Sequence, residues 1–250
     1  DQFVLDGEAT AILHYPWVRD NIYHTHNDNV LPLLLAAVAA ARARRRTADE
    51  LRKKAAIFVL PSSRSQPPLP VFDVVLGALF HRLVYLNFSS CVRIKAAPKS
   101  KPPLVLWGRP PRVFSAEVAK VLPYLDDDVV QSFRTALREA FDLSVARATR
   151  MWGSSNRLRV VYLQRDKKRR LTNENYLLNR LTSNRSLDLR VCCSGMDYRS
   201  QVLLVSGADV LAGVHGAGLL HILHMNIARD PIVNQPLVLH ISSRRLNYHE

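Results

Sequence analysis

The run Gly207-Ala208-Asp209-Val210-Leu211-Ala212-Gly213-Val214-His215-Gly216-Ala217-Gly218-Leu219 joins an apolar strand to a histidine and a turn of small residues. Small residues where a strand turns into a helix let a ligand reach the backbone, and a helix N-terminus favours an anion there. A histidine at the mouth of that turn adds a side-chain donor. Together these features outline a site for a nucleotide diphosphate. Glycine-rich turns also serve packing alone, so the turn taken by itself supports either reading.

The elements that must hold this turn have a regular rhythm. Residues 158–163 read as a strand, 172–181 as a helix with Thr172 as its cap, and 187–191 as a strand. Residues 197–206 have helical spacing; strand 210–214, the glycine turn and an apolar helix over 219–225 follow. This β-α-β-α-β-α order predicts a parallel sheet with crossover helices, where ligands sit at the carboxyl ends of the strands. Arg165 follows one such strand end and His215 another. In the first half, 55–60 reads as a strand and 71–86 as a helix passing into a strand. The apolar run 30–41 reads as a buried helix, ending in the basic stretch 42–46 that suits its dipole. Asp28 or Asn29 would cap it. Five prolines between 97 and 111 mark an internal boundary, and 126–150 has helical spacing behind a run of aspartates.

Composition bounds the function. The chain has 250 residues, 48% of them hydrophobic, which suits one large or two small globular domains. No apolar stretch is long enough for a transmembrane helix, and the chain opens on Asp with no signal peptide, as a fragment or trimmed chain would. The net charge is +14, but the basic residues lie in separate runs without a nucleic-acid signature, so solvated basic faces explain them better than nucleic acid does. The three cysteines, Cys91, Cys192 and Cys193, lack metal-ligand spacing. Adjacent cysteines rarely bridge each other, leaving a bridge from Cys91 to the pair as the alternative. The sequons Asn87-Phe88-Ser89 and Asn184-Arg185-Ser186 permit a secretory location without establishing it.

The set Val161-Tyr162-Leu163-Gln164-Arg165, Arg169-Arg170 and Asn173-Glu174, followed by the glycine-turn segment, resembles glycosyltransferase family 61. The segment Asn21-Ile22-Tyr23-His24-Thr25-His26-Asn27-Asp28, with Leu31-Pro32-Leu33, is similar to the family's N-terminal element. The resemblance implies an α/β, GT-B-like fold of two Rossmann-like domains with parallel sheets. It divides the chain into an N-terminal acceptor-side domain over 1–110, a helical connection over 111–150 and a C-terminal nucleotide-sugar domain over 151–250. It implies inverting transfer of GlcNAc or a pentose from a UDP-sugar to a hydroxyl of a glycan or glycoprotein. No metal or other cofactor and no nucleic acid is implied. The location implied is the Golgi or endoplasmic reticulum lumen, with membrane attachment only through an anchor upstream of this chain.

In such a site the leaving diphosphate gathers negative charge that fixed donors and cations must stabilise. Arg165 and His215, with the amides of Gly216, Ala217 and Gly218, suit that role, and Arg170 is a second cation. The plainer alternatives are a surface arginine at a strand end for Arg165 and a solvated basic run for Arg170. Asn173 and Glu174 read either as the first turn of a helix or as donor-binding residues, with Glu174 positioning Arg165 or contacting a ribose. Asp28, with His24 as its alternative, is the candidate general base for the acceptor hydroxyl. Asp126-Asp127-Asp128 reads as a dipole complement rather than a metal site.

The chain departs from the family pattern after about residue 225, where the expected strand and helix are not legible and the domain reads as truncated or divergent. Leu220 also stands where a small hydroxyl residue is usual. A catalytically degenerate binding or structural subunit is therefore the second reading, and a basic RNA-binding protein a distant third.

Overall fold

The structure is a computed structural model. It describes residues 2–5, 9–14, 29–30, 33, 47, 50, 53–60, 70–86, 93–96, 104–108, 127–153, 156–165, 170–193, 195–225 and 237–242. For 2–5, 70, 93–96, 104–108, 127–132 and 145 only the backbone is described. The chain divides into two compact units, Asp1–Leu137 and Arg138–Glu250.

In chain order the elements are β1 (Gln2–Leu5), β2 (Thr10–His14), β3 (Ala55–Val59), α1 (Pro70–Leu79), β4 (Arg82–Tyr85), β5 (Arg93–Ala96) and β6 (Leu104–Gly108). They continue with α2 (Asp127–Phe141), α3 (Val145–Trp152), β7 (Leu158–Leu163), α4 (Glu174–Thr182), β8 (Leu187–Cys192), α5 (Tyr198–Ser206) and β9 (Val210–Val214). A 3-10 helix (Ala217–His224) and β10 (Leu237–Ile241) follow. The region expected as one helical stretch over 126–150 is two helices, because Asp142 turns back at φ 51° and Ser144 caps α3 through the Arg147 amide.

The first unit holds a four-stranded parallel sheet ordered β4-β3-β2-β6, and β1 pairs with β5 in a separate parallel ribbon. Strands β2 and β3 are almost entirely buried, β3 with apolar side chains throughout and β2 with Thr10 and His14 at its ends, as parallel strands covered on both faces must be. His14 ends β2 buried, with its Nε2 3.0 Å from Asn29 Oδ1. Asn29, one of the two residues expected to cap the following helix, is the partner of that histidine.

The second unit is an α/β sheet of four parallel strands ordered β10-β9-β7-β8. Alternation along β7 separates two cores. Val161 and Leu163 pack with Trp152, Leu204, Val205 and Leu211, while Val160 and Tyr162 pack with Val210, Ala212, Leu177 and Leu178. Helix α4 therefore covers one face, and α3 with α5 covers the other. The chain steps from β7 to β8 on one side and then returns to place β9 on the other side of β7. That reversal is the crevice-forming point of an open α/β sheet.

Two expectations fail here. A strand was not expected after the glycine turn, yet β10 pairs in register with β9 from Leu237↔Val210 to Ile241↔Val214. Cys192 and Cys193 are bridged to each other at the end of β8, across a cis peptide bond; Cys91 lies outside the described residues.

Candidate functional site

Leu163 of β7 pairs with Gly213 of β9, so Arg165 and His215 each lie two residues beyond the same rung. The topology thus sets both at the carboxyl edge where the strand order reverses. Arg165 Nη1 donates to the main-chain carbonyl of His215 at 3.1 Å. Both side chains are half-buried. A guanidinium carries five donors, so one bond to a carbonyl leaves most of its fork to address an anion. The two residues expected to share a site are brought together.

The glycines between them have distinct physical roles. Gly213 faces Leu163 so closely that a Cβ would fall 2.9 Å from the leucine Cβ. A Cβ on Gly216 would fall within the Arg165 guanidinium. The backbone of Gly216 is extended (φ 160°, ψ 177°), so this glycine answers a need for space rather than for an unusual dihedral. Gly218 is different: its Cβ would meet only Leu163 Cδ1, at an ordinary 3.5 Å. The expected helix after the turn is a 3-10 helix, opened by Leu219 N–H donating to the Gly216 carbonyl at 3.1 Å. Ala217 and Gly218 therefore supply the amides that precede its internal bonds.

Glu174 is buried at the first position of α4, where the dipole suits a carboxylate. It accepts from the Tyr162 hydroxyl at 2.9 Å and from Gln164 Nε2 at 3.0 Å. Burial and the neighbouring Glu174 carboxylate push the Tyr162 phenol up to about 12. Glu174 does not hold Arg165, as the sequence reading allowed. It ties the end of β7 to the start of α4 and so fixes both ends of the loop between them. Thr172 is not the cap of α4; Asn173 takes that position, exposed and without a side-chain cap bond. Arg170 is also exposed. Asp28 and His24 lie outside the described residues.

Asp209, part of the glycine-turn motif, works at the opposite edge of the sheet. Its Oδ2 accepts from Arg159 N–H and Nε at 2.9 and 3.1 Å, and its Oδ1 from Nη2 at 3.2 Å. This fork fixes β9 against β7 at their amino ends and so keeps Arg165 and His215 level at the other.

Two parts of the site had no signal in the sequence. His240 on β10 places its Nε2 3.1 Å from Nδ1 of His215. Beneath the 3-10 helix, His224 Nε2 lies 2.7 Å from the Tyr198 hydroxyl and His221 Nε2 lies 2.9 Å from Gln201 Oε1. Burial pushes the Tyr198 phenol upward. These contacts dock the helix onto α5 and hold the turn that precedes it. Only the i, i+3 spacing of the histidines could have hinted at this. Among the described residues, no three or more His, Cys, Asp or Glu side chains form a group that could hold a metal ion.

Comparison with known proteins bears on the same region. The family model described as Glycosyltransferase 61 matches residues 22–229. The chain is also 37% identical over 71 residues to the EGF domain-specific O-linked N-acetylglucosamine transferase of Drosophila melanogaster. That stretch is 28% of this chain and 14% of the relative, so the match spans a small part of the relative's length. With an arginine and a histidine meeting at the β7–β9 switch and a family match that takes in both units, the chain belongs to glycosyltransferase family 61.

Proposed function

We propose that this chain is the catalytic region of an inverting glycosyltransferase that uses a UDP-sugar and a glycan or glycoprotein hydroxyl. The observation that carries this reading is the Arg165–His215 contact at the strand-order reversal. As the acceptor oxygen attacks the anomeric carbon and the bond to the diphosphate breaks, negative charge collects on the leaving phosphate. Arg165, His215 and the Ala217 and Gly218 amides would stabilise that charge without a metal. Arg170 and Asn173, just ahead of α4, are further donor-side candidates. Asp28, or His24, would accept the hydroxyl proton.

The architecture proposed is GT-B-like, with the second unit holding the donor and the first serving the acceptor. The name of the Drosophila relative favours N-acetylglucosamine as the sugar, with a pentose as the alternative. A lumenal location in the Golgi or endoplasmic reticulum follows the same reading. A thermal-shift screen against UDP, GDP and CDP, each with its sugars, tests it. Stabilisation by the uridine series, lost in R165A and H215A, is the expected result. Equal response to all three nucleotides, or none, would reject the donor assignment. Uridine binding without sugar transfer would favour the degenerate binding subunit.

A further inference from the structure

Strand β10 holds His215 twice. The His215 amide donates to the Ile241 carbonyl at 3.0 Å, and the two rings lie with centroids 5.1 Å apart at a tilt of 38°. His240 stands opposite Gly213 in the β9–β10 register, next to that carbonyl. The strand's backbone therefore fixes where the His240 ring meets the His215 ring. Two imidazole nitrogens 3.1 Å apart form a hydrogen bond only if one carries the proton and the other accepts it. Which ring nitrogen of a histidine is protonated is set by the bond its other nitrogen makes. A phosphate, which only accepts, is served by a protonated nitrogen.

We propose that His240 is a positioning residue for the donor site: its Nε2–H donates to Nδ1 of His215 and holds His215 with its proton on Nε2. In that tautomer His215 presents an N–H donor to a diphosphate. This role rests on the donor-site reading above. His240 acts through His215 and touches no reacting atom.

The test compares the wild-type chain with H240L and H240Q at a pH where both histidines are neutral. The probes are nitrogen-15 spectra of the ligand-free protein and titration with UDP. The expected wild-type spectrum shows His215 unprotonated at Nδ1 and protonated at Nε2. H240L should mix the two tautomers and weaken UDP about tenfold, or about 1.4 kcal/mol. H240Q, whose amide can donate, should restore most of both, with all three melting alike. A wild-type His215 protonated at Nδ1, or an H240L variant with unchanged tautomer and UDP affinity, overturns the proposal. A wild-type chain that takes up no UDP overturns the donor-site reading and the role built on it. The ligand-free spectrum then still decides the histidine pairing by itself.

Discussion

Arg165 and His215, fifty residues apart in the chain, are joined by a hydrogen bond from Arg165 Nη1 to the His215 carbonyl. The guanidinium is thereby anchored beside the glycine turn, close against Gly216. R165A should weaken UDP by roughly 10- to 100-fold, because a charge-assisted, forked contact is lost. R165K should fall between, keeping the charge and losing the fork. Calorimetric titration of the three proteins checks this; equal affinities would remove Arg165 from the site.

Gly216 and Gly218 should separate when each becomes alanine. The Cβ of G216A would occupy the Arg165 guanidinium, so the arginine must leave and UDP binding must drop with it. The Cβ of G218A meets nothing closer than 3.5 Å. Its melting temperature should stay near wild type, and any fall in UDP affinity then reports ligand contact with the turn. A large loss of stability in G218A would contradict this division.

Asp209 should matter for stability more than for binding chemistry. D209A leaves the Arg159 guanidinium, almost wholly buried, without the carboxylate that it grips. Loss of such a partner costs about 3 kcal/mol. Denaturant unfolding measures it. The double variant R159L/D209L should recover part of the loss, since two apolar side chains leave no charge stranded.

Tyr162 gives the fold an alkaline limit. Its folded value of about 12 lies above the ordinary 10.0. Between these values the unfolded chain loses the proton and the folded chain keeps it, so stability declines as pH rises through that window. Below the ordinary value the contribution is fully present. Y162F should melt lower than wild type at neutral pH, having lost the bond to Glu174, and should lose less from pH 9 to pH 11. Parallel melting curves at both pH values would refute the assignment.

The lumenal proposal has its own test in Asn184. Asn184, Arg185 and Ser186 are exposed in the turn between α4 and β8, at the amino edge of the sheet and opposite Arg165 and His215. A glycan there would leave the donor edge clear. Protein isolated from its native cells should lose mass on treatment with peptide N-glycosidase, and N184Q should lack that part of the shift. An unmodified Asn184 would speak against passage through the lumen.

The sequence by itself determined the local elements of the second unit. Short apolar stretches such as 158–163, broken only by Arg159, and 210–214 read as strands, and the helical segments between them call for parallel crossovers. It also marked Arg165 and His215, since each lies within two residues of the end of such a run. Only the tertiary structure decided that β9 returns beside β7, because strand order depends on which faces the helices cover rather than on any local pattern. The same holds for Glu174, whose partners sit on a neighbouring strand, and for Asp209, whose role is set by a pairing fifty residues away. His240 was invisible for the plainest reason. The exposed, weakly patterned strand that carries it exists through its pairing to β9, and pairing between distant segments leaves no mark in the order of residues.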